Sequence, residues 1–232
     1  MNAKKWTALL LFALAVGLNL VGCYFDIPIL SRVSKPVLMP LVLLNALLAL
    51  SDTTAPKWLG VLLTFALAFH CAGDVFLMLE GFPFFVTGLT CFLIGHLFYI
   101  SIFFKKGLFK GDNLLWSILT GIAVIVIPLV LIKVLEFEGP IKYAVFAYGI
   151  VLLFVSFSGL WGVFNKKSGA SNPACWLCFL GGLAFIFSDI LVAWRSLLGN
   201  SFPRIGFVIM STYILAECLI VTSIVRPYLK AK

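Results

Sequence analysis

The sequence predicts an all-α integral membrane protein, a bundle of eight transmembrane helices, and two observations carry that prediction. Of its 232 residues 62% are hydrophobic and 11% charged, with a mean hydropathy of +1.14, whereas soluble domains carry about 25% charged residues. The apolar residues also gather into eight runs near the roughly 20 residues that span a bilayer. The connectors between them are short, such as "EGFP" at Glu80 to Pro83 and "NKKSGASN" at Asn165 to Asn172. No soluble insert interrupts them, so 1–232 reads as a single membrane domain.

Each run takes its limits from local chemistry. The first, about 6–24, follows a basic start at Lys4 and Lys5. The second, 33–50, lies beyond Pro28, and the third, 57–79, begins after Pro56. The fourth, 83–104, opens on Pro83; the fifth, 114–135, contains Pro128, read as a kink. The sixth, 141–164, follows Gly139-Pro140; the seventh, 174–198, follows Pro173; the eighth, 205–225, follows Pro203. Proline suits these boundaries because it lacks the N–H donor that a continuing helix requires.

Lysine and arginine set the orientation. The side bearing the N-terminus holds 11 of them: Lys4, Lys5, Lys57, Lys105, Lys106, Lys110, Lys166, Lys167, Arg226, Lys230 and Lys232. The other side holds six: Arg32, Lys35, Lys133, Lys142, Arg195 and Arg204. Both termini are expected in the cytoplasm, and in a bacterium the membrane would be the inner one. The net charge of +8 is accounted for by anionic membrane lipids, without a nucleic acid partner, and no signal sets an oligomeric state. Leu20-Val21-Gly22-Cys23 has the form of a lipoprotein cleavage box; with seven more spans following, the segment is read as the first helix. The other five cysteines fall inside helices as small apolar residues, and Cys175-x-x-Cys178 has no second ligand pair for a structural zinc site.

Function is expected in the polar residues of the spans, because an ionisable group in a membrane helix is costly to keep there. They are Lys35 at the start of the second helix, Asn45, His70 and Asp74 in the third, His96 and Tyr99 in the fourth, Asp189 in the seventh, and Tyr213 and Glu217 in the eighth. Asp74 and Asp189 enter the same outer half of the bundle, about 8 Å and about 4 to 5 Å from the centres of their helices at 1.5 Å per residue. "GDVFLML" at Gly73 to Leu79 and "SDILVAW" at Ser188 to Trp194 each occupy the third helix of a four-helix half. That hint of duplication predicts two carboxylates facing each other across one cavity.

The motifs "KPVLMP" (Lys35 to Pro40), "GDVFLML", "GHLFYI" (Gly95 to Ile100), "GGLAFIFSDILVA" (Gly181 to Ala193) and "YILAE" (Tyr213 to Glu217), in this order and spacing over most of the chain, resemble the YhhN-type lysoplasmalogenases. The resemblance implies an eight-helix membrane hydrolase that cleaves the vinyl-ether bond of a lysophospholipid substrate, the lysoplasmalogen, to a fatty aldehyde and glycerophosphoethanolamine or glycerophosphocholine. The family usually has Gln where this chain has Glu217; a glutamate there must be protonated or pair with a cation such as Lys35.

The chemistry suits paired carboxyls independently of the resemblance. A vinyl ether hydrolyses when an acid protonates its β-carbon, leaving an oxocarbenium ion that water captures. One carboxyl must hold a proton near neutral pH while the other stays anionic to stabilise the cation and orient water, much as in glycoside hydrolysis. Neither a metal nor a cofactor is needed. The expected catalytic residues are Asp74 and Asp189, with Lys35, His96, Tyr99, Tyr213 and Glu217 binding substrate or supporting the site. Each has a structural alternative: the aspartates as interhelical hydrogen-bond acceptors, His96 and Tyr99 as helix-to-helix contacts, Lys35 as an interfacial side chain reaching for headgroups instead of pairing with phosphate or an aspartate. His70, one turn before Asp74, is left outside the core site, and Asn45 and Asn19 are read as packing.

A zinc-dependent ceramidase-type amidohydrolase would need a cluster of histidines, and the chain has two. A proton-coupled transporter would also use intramembrane Asp, Glu and Lys and is the main alternative. A purely structural module would not explain two aspartates at like depth.

Overall fold

The architecture is seen in a computed structural model that describes residues 3–109, 113–139, 141–164 and 172–229. Eight helices follow one another: α1 (Ala3–Tyr24), α2 (Pro28–Leu50), α3 (Lys57–Phe76), α4 (Phe82–Lys105), α5 (Leu114–Val134), α6 (Ile141–Phe164), α7 (Asn172–Ser196) and α8 (Ile205–Leu229). All eight are long and apolar enough to cross a membrane, and the described residues contain no strand. Helices satisfy their own backbone donors and acceptors, which a hydrocarbon solvent cannot do. Large apolar side chains such as Leu10, Leu14, Ile122, Leu129 and Leu180 accordingly face outward. The chain is a multi-pass integral membrane protein. The Gly139-Pro140 turn, the connector at 165–171 and Lys110, Lys166, Lys167, Lys230 and Lys232 from the charge comparison fall at least partly outside the described residues.

Sequential helices pack as neighbours from α1 to α4 and again from α5 to α8, and α4 against α6 with α2 and α1 against α8 join the two halves. α8 is the most enclosed helix and α5 the least. Small residues allow the closest crossings. A side chain on Gly159 of α6 would lie 2.5 Å from the Cys175 carbonyl and the Phe179 nitrogen of α7.

Several helix limits differ from the sequence expectation. α2 begins at Pro28 rather than at 33, with proline in the first turn, where its missing N–H costs nothing. Lys35 is therefore its eighth residue and points from inside the helix, not from its start. α3 ends at Phe76 rather than 79, where the Leu77 N–H bonds to the Gly73 carbonyl and closes the helix. Asp74 thus lies about 11 Å from the helix centre, nearer the C-terminal end of α3 than expected. Pro128 is not the lone proline within a helix: Pro36, Pro40 and Pro227 are internal too. Pro40 cannot donate to the Pro36 carbonyl, and the Cys71 thiol of α3 donates to it instead at 3.3 Å.

The two halves repeat in register. Asp74 and Asp189 are each the eighteenth residue of the third helix of their half, and Lys35 and Tyr148 each the eighth residue of the second.

Candidate active site

Polar side chains from α2, α3, α4, α6, α7 and α8 converge as two groups in the middle of the bundle and in its half away from the N-terminus of α1. In the first, Lys35 Nζ lies 3.3 Å from Asp74 Oδ1, and the Tyr213 hydroxyl donates to Asp74 Oδ2 at 2.8 Å. One turn toward the interior of α3, His70 Nδ1 is 2.5 Å from Glu217 Oε1, and the Tyr99 hydroxyl donates to Glu217 Oε2 at 2.7 Å. His70, Glu217 and Tyr99 are all buried, so they serve as partners to one another in place of water; His96 is buried beside them. In the second group the Tyr148 hydroxyl donates to Asp189 Oδ2. The rings of Phe92 and Phe185 pack against both Tyr213 and His96's side of the cluster.

Proton positions at the two histidines follow from their neighbours. His96 Nδ1 is 2.7 Å from the Phe92 carbonyl, which can only accept, so this nitrogen carries the proton. His70 Nε2, 3.1 Å from the same Nδ1, faces it as an acceptor. His96 Nε2 is left as a buried acceptor with no hydrogen-bond partner in the protein, open to a water or a substrate hydroxyl.

Close packing fixes His70. Gly95 on α4 lies against its ring, and a Cβ there would sit 2.1 Å from His70 Cδ2 and 2.3 Å from Nε2. Gly95→Ala is expected to force α3 and α4 apart or turn the imidazole, costing about 1–3 kcal/mol as overpacking does. A thermal unfolding midpoint in detergent equal to the wild type would contradict so rigid a contact.

Two cavities adjoin the polar groups. An apolar slot between α4, α5, α6 and α7 is lined by residues such as Phe92, Pro128, Leu131, Leu152 and Ile190, with Asp189 and Tyr148 its polar wall. A vestibule of about 530 Å³ opens at the end of the bundle away from the N-terminus of α1, lined by Arg32, Lys35, Arg195, Glu80 and Asn19 among others. Leu77, Phe85 and Val192 line both, so the slot and the vestibule meet at one seam. Each aspartate lies three residues before a seam residue, Asp74 before Leu77 and Asp189 before Val192.

The seven expected site residues are thus brought into two groups, with corrections. The aspartates do not face each other across one cavity: Asp189 lines the slot, while Asp74, 2% exposed, lines neither cavity and meets the vestibule only through Lys35. Lys35 pairs with an aspartate, Asp74, as one of its two expected partners, so it is not the cation that Glu217 would need; the partners of Glu217 are His70 and Tyr99. His70 belongs at the centre of the cluster, and its place one turn from Asp74 on the same helix face was the available signal. Tyr148, Arg32 and Arg195 were not recognised as site residues; Tyr148 is detectable as the counterpart of Lys35 in the second half. Among the described residues no group of three His, Cys, Asp or Glu side chains is placed to hold a metal ion. Asn19 and Asn45 bond to Ser31, Ser34, Ala8 and Leu41, as packing residues do.

The sequence matches the YhhN family over residues 30–224. It is 30% identical over 165 residues to Lysoplasmalogenase TMEM86A of Homo sapiens, covering 69% of this chain and 63% of that protein. To Lysoplasmalogenase TMEM86B of Homo sapiens it is 31% identical over 165 residues, covering 71% and 64%. To Lysoplasmalogenase TMEM86A of Bos taurus the figures are 30% over 162 residues, 69% and 63%. The chain spans a little under two thirds of the length of these relatives. No solved structure matches it.

Proposed function

Because the chain belongs to the YhhN family, we propose that it is a lysoplasmalogenase, a membrane hydrolase that cleaves the vinyl-ether bond of a single-chain alkenyl lysophospholipid. The observation that carries this reading is the seam. An apolar slot of about 90 Å³, room for only a short part of a hydrocarbon chain as it stands, meets a charged vestibule of about 530 Å³, and a carboxyl group, Asp189, lies within one helical turn of the junction. A lipid lying along both would bring the bond between tail and glycerol to that carboxyl.

In the proposed reaction Asp189 is the acid. Tyr148 occupies its Oδ2, which leaves Oδ1 to deliver a proton to the alkenyl carbon one bond removed from the ether-bearing carbon. Two electrons of the double bond form the new C–H bond, and the ether oxygen shares the positive charge. Water adds to the oxocarbenium carbon and gives its proton to the Asp189 carboxylate, which restores the acid; the hemiacetal then collapses to an aldehyde, its hydroxyl proton passing to the departing glycerol oxygen, which leaves as an alcohol. Asp74, held by Lys35 and Tyr213, supplies fixed negative charge nearby. His70 and Glu217 are positioning residues, packed behind it.

The extent of the polar column favours hydrolysis over transport. Its ionisable members run from the vestibule to Glu217 and Tyr99. Beyond them Leu59, Leu63, Ile102, Phe103, Ile220 and Ile224 are at most 2% exposed, and the buried polar side chains there include the hydroxyls of Ser156, Ser158 and Ser223, each donating to a backbone carbonyl. A proton-coupled transporter needs a polar path on both sides, and nothing in the family comparison supports one.

Purified protein in detergent, with no gradient available, should release fatty aldehyde from alkenyl lysophospholipid; failure to do so under conditions where it remains folded would remove the hydrolase assignment. Lys35→Met provides a finer measurement. Since Lys35 neutralises a buried aspartate, the variant should lose kcat more than it gains in KM. A rise in KM with kcat unchanged would return Lys35 to direct contact with the phosphate.

A further inference from the structure

The slot that Asp189 lines holds about 90 Å³, far below the roughly 300–1,000 Å³ of pockets that enclose a ligand. A long hydrocarbon chain therefore fits only if one wall gives way, and α5 is the wall least tied down. Phe85, Leu89 and Phe92 line the slot from α4, and Pro128 and Leu131 line it from α5. Among the described residues α4 and α5 are the one consecutive pair of helices that does not pack closely, and the close neighbour of α5 is α6. The buried residues of α5 are Thr120, Val124 and Pro128. None of residues 129–134 is buried.

This weakly held end of α5 has a pivot and a latch. Pro128 lies against Gly149 of α6, where a Cβ would come within 3.2 Å of the proline ring. It cannot donate to the Val124 carbonyl, so the helical ladder is interrupted where α5 meets the slot, a usual place for a helix to bend. Past the end of α5 the Glu136 N–H bonds to the Lys133 carbonyl at 3.4 Å and the Phe137 N–H to the Ile132 carbonyl at 3.1 Å, the pattern of a Schellman closure. Glycine usually occupies the left-handed position of that closure; here Glu136 does, at φ +53°, a conformation that side-chain-bearing residues adopt only against strain. The turn places Phe137, 7% exposed, in the slot wall. One buried ring, held by a strained turn, thus anchors a segment that has no other buried residue after Pro128. We propose that residues 129–137 form a movable side wall that hinges at Pro128, and that a hydrocarbon chain enters the slot sideways from the membrane, between α4 and α5, as Phe137 leaves it. The inference rests on the lipid-hydrolase reading for the nature of the chain, but not for the motion.

The distance between two spin labels reads this motion without turnover. Phe82 of α4 and Val134 of α5, both exposed, are replaced by p-acetylphenylalanine, which takes oxime-linked labels and leaves the native cysteines untouched. The full-length protein, in nanodiscs of diacyl phospholipid, receives a saturated ether lysolipid that cannot be cleaved, with either a hexadecyl or a butyl chain, and saturation is judged by displacement of a fluorescent lysolipid. The hexadecyl lipid should lengthen the distance by more than the roughly 1–2 Å of an ordinary helix shift, and the butyl lipid should leave it unchanged. Phe137→Ala should show the longer distance before any lipid is added, because the anchoring ring is gone. Pro128→Ala restores the backbone donor and should reduce the lengthening. Absence of binding, an unchanged distance at saturation with the hexadecyl lipid, equal lengthening by the two lipids, or a Phe137→Ala distance equal to that of the lipid-free wild type would overturn the assignment. Absence of aldehyde release from cleavable lipid, with this movement intact, would sink the hydrolase reading alone.

Discussion

Asp189→Asn is expected to lower kcat for aldehyde release by roughly 10²- to 10⁴-fold, the range for loss of a positioned acid, with little change in folding. Asparagine keeps an oxygen that can accept from Tyr148, so the local hydrogen bond survives and only the transferable proton is removed. Asp74→Asn should also reduce turnover, by a different route: it leaves Lys35 beside a neutral amide and removes the anion that offsets the developing cation. The two are separable by their residual activities. Product made by Asp74→Asn should still carry a solvent-derived proton at the alkenyl carbon, because the proposed acid is intact. Wild-type turnover in either variant, checked against monodisperse elution and an unchanged unfolding midpoint, would exclude that residue from the reaction.

The sequence made the number and order of helices legible because a bilayer demands uninterrupted apolar length, which hydropathy reports directly. It was least reliable where the helix interior is wet. α2 was expected to start at 33, beyond Pro28, but it begins at Pro28; Arg32 and Lys35 lie within it and line the vestibule, and a helix can carry charges where it lines a cavity. The same aqueous setting hid Arg32 and Arg195, which read as interfacial charges in the orientation count. Asp74 and Asp189 were legible because a carboxylate in a membrane span has few neutral explanations. Lys35, Tyr213, Tyr99 and Glu217 were also expected at the site, but which tyrosine meets which carboxyl was not legible: Tyr213 is 139 residues from Asp74, and Tyr99 is 118 from Glu217. Single residues at such separations carry no periodic signal. The duplication, slight as a motif, proved informative once helix positions were known, since it aligns Lys35 with Tyr148 and Asp74 with Asp189. The halves have diverged in chemistry at those matched places, an ion pair in one and a phenol–carboxyl hydrogen bond in the other. That divergence is what two carboxyls with different duties require.

Turnover in D₂O is expected to place one deuterium on the aldehyde carbon next to the carbonyl, and this is the result that bears most directly on Asp189. Hydrolysis of an ordinary ether or ester protonates oxygen and leaves no label on carbon. A vinyl ether hydrolysed by carbon protonation must gain one hydrogen at that carbon, and the acid exchanges with solvent between turnovers. Immediate reduction of the aldehyde to the alcohol traps the label before enolisation adds or removes it. Because the transfer disrupts the conjugation between the ether oxygen and the double bond, it should also be the slow chemical step, with a normal solvent isotope effect on kcat. Reduced product with no deuterium at that position would contradict carbon protonation, and with it the role of Asp189 as acid. Deuterium at that carbon in the wild type, together with a fall in the rate at which Asp189→Asn forms the labelled product, would tie the proton to the carboxyl that lines the slot at the seam.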